Sequence, residues 1–127
     1  MAFTIADLIE HSVDLNPERV ALETEGESHT YAELEARANA LAHTLRDLGI
    51  KPGDAEGLYS RNTVEAVEAM VAIFKARAVM VNVNYRYVGA ELSYLLDNAD
   101  CEALVYHRSM AGVVRDVLPA LPLVKIA

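Results

Sequence analysis

Cysteine, glycine, proline and basic residues are all scarce in this chain of 127 residues. The single cysteine, Cys101, excludes a disulfide framework and favours a reducing, cytoplasmic location. Six glycines and four prolines beside 53% hydrophobic residues exclude a disordered or collagen-like protein. Because 11 basic residues face 19 acidic ones, the formal net charge is −8, which argues against a nucleic acid or an anionic membrane surface as the partner.

Targeting signals and long hydrophobic runs are also lacking. No Lys or Arg precedes Arg19, so the chain does not open with the basic segment of a secretory signal. The most apolar region, residues 69–83, contains Lys75 and Arg77, whereas a membrane span needs roughly 18 apolar residues in a row. The sequence therefore predicts a cytoplasmic chain without a transmembrane segment.

The first half of the chain contains strong local signals for helices and a hairpin. Thr4 and Thr30 each precede an acidic residue by three positions, which is the spacing of a helix-starting capping box. Gly49 is a typical residue just after a helix, and Gly53 suits the position of a type II turn that needs a positive φ. The predicted elements are a helix over 4–16, strands over 20–24 and 28–31, and a helix from Thr30 to Gly49.

The second half alternates strands with helices, which predicts an α/β fold of strand-helix units on a mainly parallel sheet. The strand over 78–84 is apolar almost throughout and is expected to be covered on both faces. No linker interrupts the chain, so residues 1–127 are predicted to form a single domain, truncated at an unpaired last strand. The predicted strands are 55–60, 78–84, 102–106 and 123–127, and the helices are 63–76, 91–99 and 110–121.

Asn84, Tyr85 and Arg86 are the candidate site residues, because they follow the strand predicted to be the most buried. Open parallel sheets bind their ligands beyond the carboxyl ends of the strands. A structural interpretation is nonetheless favoured, in which Asn84 caps the turn, the tyrosines pack and Arg86 holds a local carboxylate. No residue of the chain is predicted to be catalytic, cofactor-binding or metal-binding.

Other chemistry-bearing residues favour structural roles. The glycine spacing lacks the pattern of a phosphate-binding loop, and the four histidines lack metal-ligand spacing. Cys101 lies between Asp100 and Glu102, whose charges disfavour a thiolate, so it is not expected to be a nucleophile. Glu65 and Glu68 are expected to lie on the solvated face of their helix.

Seven blocks of sequence, in this order and spacing, resemble the start of an AMP-forming acyl-CoA synthetase of the adenylate-forming enzyme superfamily. The wording of residues 84–87 is most similar to bacterial ligases of fatty acids and steroid side-chain acids. The blocks are HTYAEL at 29–34, ANALA at 38–42, LGIKPGD at 48–54, RN at 61–62, KARAV at 75–79, VNVNYRY at 81–87 and ELSYLLDNAD at 91–100.

The resemblance implies a two-step reaction that uses ATP, Mg²⁺ and coenzyme A. A carboxylate attacks the α-phosphate of ATP, and the thiol of coenzyme A then displaces AMP from the acyl-adenylate. The phosphate loop and the catalytic lysine of the family lie beyond residue 127, so no catalytic or cofactor-binding role is carried over. The resemblance therefore implies that these residues alone are inactive.

Two alternatives for the role of the chain stay open. It is either the N-terminal part of such a ligase or a stand-alone, non-catalytic interaction module. In both cases the expected partner is the remainder of the ligase or a second copy, bound through exposed apolar sheet surface.

Three residues depart from the family's pattern. Glu56 places a carboxylate in a buried strand, where it costs a few kcal/mol unless it is paired. Arg77 stands at a common glycine position, and Met80 at a position where proline is frequent.

Overall fold

Helices cover both faces of a small parallel sheet in the computed structural model, which describes residues 3–124 and residue 127. Five α-helices and five strands are described, together with short 3-10 turns at Arg108–Met110 and Leu118–Ala120. In chain order they are α1 (Ile5–Leu15), β1 (Val20–Thr24), β2 (Glu27–Thr30), α2 (Tyr31–Asp47), β3 (Ala55–Tyr59), α3 (Val64–Lys75), β4 (Val79–Val83), α4 (Gly89–Asn98), β5 (Cys101–Tyr106) and α5 (Ala111–Val117).

The local predictions for the first half are confirmed. Both capping boxes form, since the Thr4 and Thr30 hydroxyls accept backbone N–H groups three residues ahead and the acidic side chains bond back. Strands β1 and β2 pair antiparallel as a hairpin. Gly49 follows α2 with a φ of 109°, and Gly53 has a φ of 89°, so both use backbone conformations that favour glycine.

The sheet has the strand order β4-β3-β5, and both pairings are parallel. The α/β class with strand-helix units on a parallel sheet is thus confirmed. The central strand is β3, whose residues 56–59 are all buried. The prediction that residues 78–84 form the most buried strand is wrong, because β4 lies at an edge of the described sheet and Val79 is 54% exposed. Apolar composition does not reveal strand order, which is set by long-range pairing.

The two faces of the sheet carry separate apolar cores. A Cβ atom added to Gly57 would meet Leu96 and Leu104, so this face of β3 packs against α4 and α5. Leu58 alternates to the other face, where it packs against α2 and α3. The sheet is therefore the middle of three layers, with helices on both sides.

Ion pairs connect the first three helices, α1, α2 and α3, with one another. Lys75, only 5% exposed at its side chain, donates to Glu10 of α1 at 2.9 Å and to Glu35 of α2. The Arg37 guanidinium of α2 donates to Glu68 of α3. The expected solvated position of Glu68 is therefore wrong, since the residue is only 5% exposed.

The last part of the chain differs most from the prediction. The helix predicted over 110–121 is shorter, since Met110 belongs to the 3-10 turn before α5. After Val117 the chain continues as a second 3-10 turn, because Pro119 cannot donate an N–H to a continuing α-helix. Of the strand predicted over 123–127, Leu123 lies in a turn, Val124 lies in no strand, and Lys125 and Ile126 are outside the described residues. Within the described part of the chain, no helix has both the length and the apolar character that crossing a bilayer requires.

Candidate functional site

The carboxyl ends of the three parallel strands meet at one edge, which we call the carboxyl edge. Arg61 follows β3, Asn84, Tyr85 and Arg86 follow β4, and Arg108 follows β5. All three arginines are exposed at this edge of an otherwise acidic chain. The predicted candidates therefore lie where open parallel sheets bind ligands, but beyond an edge strand and not beyond the most buried one.

Asn84 holds the turn that follows β4. Its side-chain oxygen accepts the Arg86 N–H at 2.9 Å, and its backbone carbonyl accepts the Tyr87 N–H at 3.0 Å. Such a side-chain turn is typical of asparagine. The capping role predicted for Asn84 is confirmed.

Tyr85 lies against two guanidinium groups. The Arg61 guanidinium carbon is 4.8 Å and that of Arg86 is 5.5 Å from the centroid of the Tyr85 ring, both within cation–π range. Among the described residues Arg86 thus contacts an aromatic ring, and the expected pairing with a local carboxylate is not formed. Each planar guanidinium keeps N–H donors at its rim for an anionic group.

Sequence reasoning missed the contribution of Arg61. It lies 24 positions before Tyr85, and only the strand pairing brings the two together. The available signal was its position shortly after a strand, two residues beyond β3, as Arg86 lies three residues beyond β4. Two arginines at equivalent strand ends would have indicated a shared basic site.

Hydrogen bonds fix the carboxyl edge to the sheet below it. The buried Tyr59 hydroxyl donates to the Tyr87 carbonyl, and the His107 N–H donates to the Tyr59 carbonyl at 3.1 Å. Burial raises the pKa of the Tyr59 hydroxyl, which keeps it a proton donor near neutral pH. His107 in turn accepts the Ser109 N–H at 3.1 Å and starts the 3-10 turn that carries Arg108.

A cleft of about 350 Å³ opens beside the carboxyl edge, between the hairpin and α3. Its inner surface is largely apolar, whereas Arg61 and two asparagines lie among its polar lining residues. The apolar lining includes Leu22, Leu58, Val67, Met70 and Met80. The lining also includes Glu23, so the chemistry available here is binding of an amphipathic group by apolar side chains beside one basic and one acidic residue.

A metal cluster and a reactive cysteine are both absent from the described residues. There, no three His, Cys, Asp or Glu side chains come together as a metal site. Cys101 is buried, and burial, with a smaller effect of the Asp100 charge, raises its pKa to about 11. The thiol therefore stays protonated near neutral pH, and burial contributes more to this than the neighbouring carboxylate does.

Comparison with known proteins identifies relatives along nearly the whole chain. Residues 9–126 match the family model of the AMP-binding enzymes. The chain is 61% identical to 3-oxocholest-4-en-26-oate--CoA ligase of Rhodococcus rhodochrous, over 98% of this chain and 22% of that protein. It is 54% identical to a medium/long-chain-fatty-acid--CoA/3-oxocholest-4-en-26-oate--CoA ligase of Mycobacterium marinum, over 98% of this chain and 23% of that protein.

The fold agrees with this relationship. The solved structure of a Mycobacterium tuberculosis fatty acyl CoA synthetase superposes with a TM-score of 0.88 at 27% identity, over 97% of this chain and 26% of that one. The chain spans less than a quarter of the length of the two curated ligases named above. The resemblance inferred from the seven blocks is confirmed, and the chain belongs to the AMP-binding enzyme family.

Proposed function

We propose that this chain is the N-terminal portion of an ATP-dependent ligase that joins fatty acids or steroid side-chain acids to coenzyme A. The observation that carries the proposal is the 61% identity, over 98% of the chain, to a ligase of 3-oxocholest-4-en-26-oate. The reaction would proceed through an acyl-adenylate with release of pyrophosphate, followed by attack of the coenzyme A thiol and release of AMP. Mg²⁺ would accompany the ATP in the full-length ligase, and no metal-binding role is proposed for the residues of this chain.

Within such a ligase, residues 1–127 would act as one structural domain with one binding surface. Asn84 keeps the turn after β4 in place, and Tyr85 contacts the guanidinium groups of both Arg61 and Arg86. ATP and coenzyme A both carry phosphates, for which arginine N–H groups are suitable donors. The proposed role of the carboxyl edge is therefore to bind an anionic group of a substrate, while catalysis uses residues outside this chain.

A chimera tests the proposal directly. The matching segment of the Rhodococcus rhodochrous ligase is replaced by this chain, and acyl-CoA formation is measured with 3-oxocholest-4-en-26-oate and with a fatty acid. We expect activity with at least one acid, because the chain shares 61% of its residues with the segment that it replaces. A folded chimera that adenylates neither acid would contradict the proposed function.

The carboxyl edge is tested in the same chimera. Arg86→Ala removes one charged donor, and the loss of about 1.5 kcal/mol of binding raises the KM for ATP or for coenzyme A about tenfold. Arg115→Ala removes an equally exposed arginine from α5 and serves as the control, with KM values that stay within about twofold. Equal KM values for the two variants would exclude a substrate-binding role for Arg86.

The isolated chain is proposed to be inactive. We expect no acid-dependent exchange of pyrophosphate into ATP, because the family resemblance places the phosphate loop and the catalytic lysine beyond residue 127. Measurable exchange that survives repurification would require a catalytic site within these residues and would overturn this part of the proposal.

A stand-alone interaction module is the second candidate function, and the exposed side of α1 favours it. Phe3, Ile5, Leu8 and Leu15 are each more than half exposed. The proposed partner is the remainder of a ligase or a second copy, bound through apolar surface. Light scattering at increasing concentration should then show self-association, and a strictly monomeric chain would exclude the second copy. The cytoplasmic location indicated by Cys101 stays a prediction.

A further inference from the structure

Glu56 occupies the centre of the molecule. It lies on the central strand β3 and is completely inaccessible to solvent. In the strand register its neighbours are Met80 of β4 and Ala103 of β5. Alternation along β3 directs it to the same face as Leu58, towards α2 and α3.

The surroundings of Glu56 offer no compensation for a negative charge. Neither of its carboxyl oxygens has a hydrogen-bond partner among the residues that the structure describes. The elements packed on this face contribute apolar side chains, with Leu41 and Leu45 from α2, Ala69, Ala72 and Ile73 from α3, and Val105 from β5. A carboxylate that is buried without partners is strongly disfavoured relative to the neutral acid.

Charged groups on the same elements are engaged elsewhere or carry the wrong sign. Glu68 and Lys75 of α3 form the ion pairs already described, and Arg46 of α2 is exposed beside Asp47. Glu102 of β5 has an interaction of its own. Asp54, two residues before Glu56, adds a negative charge that opposes ionisation.

We propose that Glu56 is a pH-sensitive element of this fold, whose neutral acid permits the packing of α2 and α3 on the sheet and whose ionisation weakens it. The proposal goes beyond the ligase function and does not depend on it. Its consequence is a chain that is more stable in mildly acidic than in mildly alkaline solution.

The direction of the effect follows from proton linkage. Burial, reinforced by Asp54, raises the pKa of Glu56 from 4.5 to about 7. Between these two values the unfolded chain has lost the proton while the folded chain retains it, so stability falls as pH rises and then levels off above about 7. The carboxyl groups of Asp7 and Glu33 have lowered pKa values, because they accept backbone and side-chain hydrogen bonds at their caps. Their effect therefore lies at lower pH and has the opposite sign.

Urea unfolding of the full chain at pH 5 and pH 8 tests the proposal. For the wild type we expect the folding equilibrium constant to fall roughly 50- to 100-fold more between these pH values than for Glu56→Gln, which cannot ionise. Glu56→Val removes the buried polar group and should be the most stable at pH 8. Glu65→Gln removes the same charge from an exposed position on α3 and corrects for the change in net charge.

A second measurement observes the carboxyl group itself. Carbon-13 NMR of the Glu56 side chain should show a midpoint near 7 in the folded chain. The proposal is overturned if wild type and Glu56→Gln have the same pH profile after the Glu65→Gln correction. It is equally overturned if the side chain titrates near 4.5, or if Glu56→Val is no more stable than wild type at pH 8.

Discussion

The two faces of the parallel sheet are held by different interactions, although they share the strand β3. On the face of α4 and α5, the side chains of Leu92, Leu96, Leu104 and Val114 are each at most 2% exposed, and Gly57 leaves room for them. The buried charged residues among those described are Glu56 and Glu68, and neither lies on this face. Its stability therefore depends on shape and on the apolar area removed from water.

The face of α2 and α3 contains ionisable groups at its centre and at its margin. Glu56 lies buried on the central strand, while Lys75 and the pair of Arg37 with Glu68 connect the helices. The adjacent residues Glu56 and Gly57 of one strand thus lie on two faces that are packed differently. Stability should therefore respond to changes of side-chain volume on the face of α4 and α5, and to changes of charge and pH on the face of α2 and α3.

The largest expected effect comes from a cavity on the apolar face. Leu96→Ala removes a side chain that is 1% exposed and should lower the free energy of unfolding by about 3 kcal/mol. Tyr94→Ala, on the same helix but 71% exposed, should change it by less than about 0.5 kcal/mol. Urea unfolding at pH 5, where Glu56 is neutral, measures both. Equal costs would show that α4 does not pack on the sheet as described.

Breaking the ion pairs between helices should have the next largest effect. Lys75→Met removes the cation shared by Glu10 and Glu35 and leaves the carboxylate of Glu35 only 22% exposed without that partner. Because the carboxylates retain some access to water, we expect a loss of about 2 kcal/mol, below the range for fully buried pairs. Lys51→Met is the control at an exposed lysine, and a similar loss there would rule out the interhelical pairs as the cause.

Overfilling the apolar face should cost somewhat less. A Cβ on Gly57 would lie 2.9 Å from Leu104 Cδ1 and 3.1 Å from Leu96 Cδ2, so Gly57→Ala should cost about 1.5 kcal/mol. Leu104→Ala creates a cavity at the same place. In the double variant the methyl group enters this cavity. The double variant should therefore lose less free energy of unfolding than the sum of the two single variants, by at least about 0.5 kcal/mol. Strict additivity would contradict the close contact.

Separation along the chain decides which of these contacts could be predicted from the sequence. The capping boxes at Thr4 and Thr30 involve residues three positions apart, so they can be read directly. The burial of Glu56 followed from the apolar strand around it. The burial of Glu68 did not, because its partner Arg37 lies 31 residues away on another helix.

Strand order and the carboxyl edge show the same limit. The edge position of β4 depends on which strands pair, and the contact of Arg61 with Tyr85 depends on that pairing. Periodicity reports which residues of an element face a core, but it does not report which neighbour supplies it. Local signals therefore specified the elements, and long-range contacts specified the site.

The smallest predicted effect concerns the turn that connects α3 to β4. Arg77 has a φ of 61°, a left-handed conformation that favours glycine, and its guanidinium lies 3.6 Å from Asp7 at the surface. Arg77→Gly and Arg77→Ala both lose this ion pair, so their difference isolates the backbone strain. We expect the glycine variant to be more stable than the alanine variant by about 1 kcal/mol in thermal unfolding. At the exposed helical position Ala36 the order should reverse, with Ala36→Gly costing about 1 kcal/mol. The same order at both positions would mean that residue 77 does not adopt the left-handed conformation in solution, and that the connection from α3 to β4 is made without it.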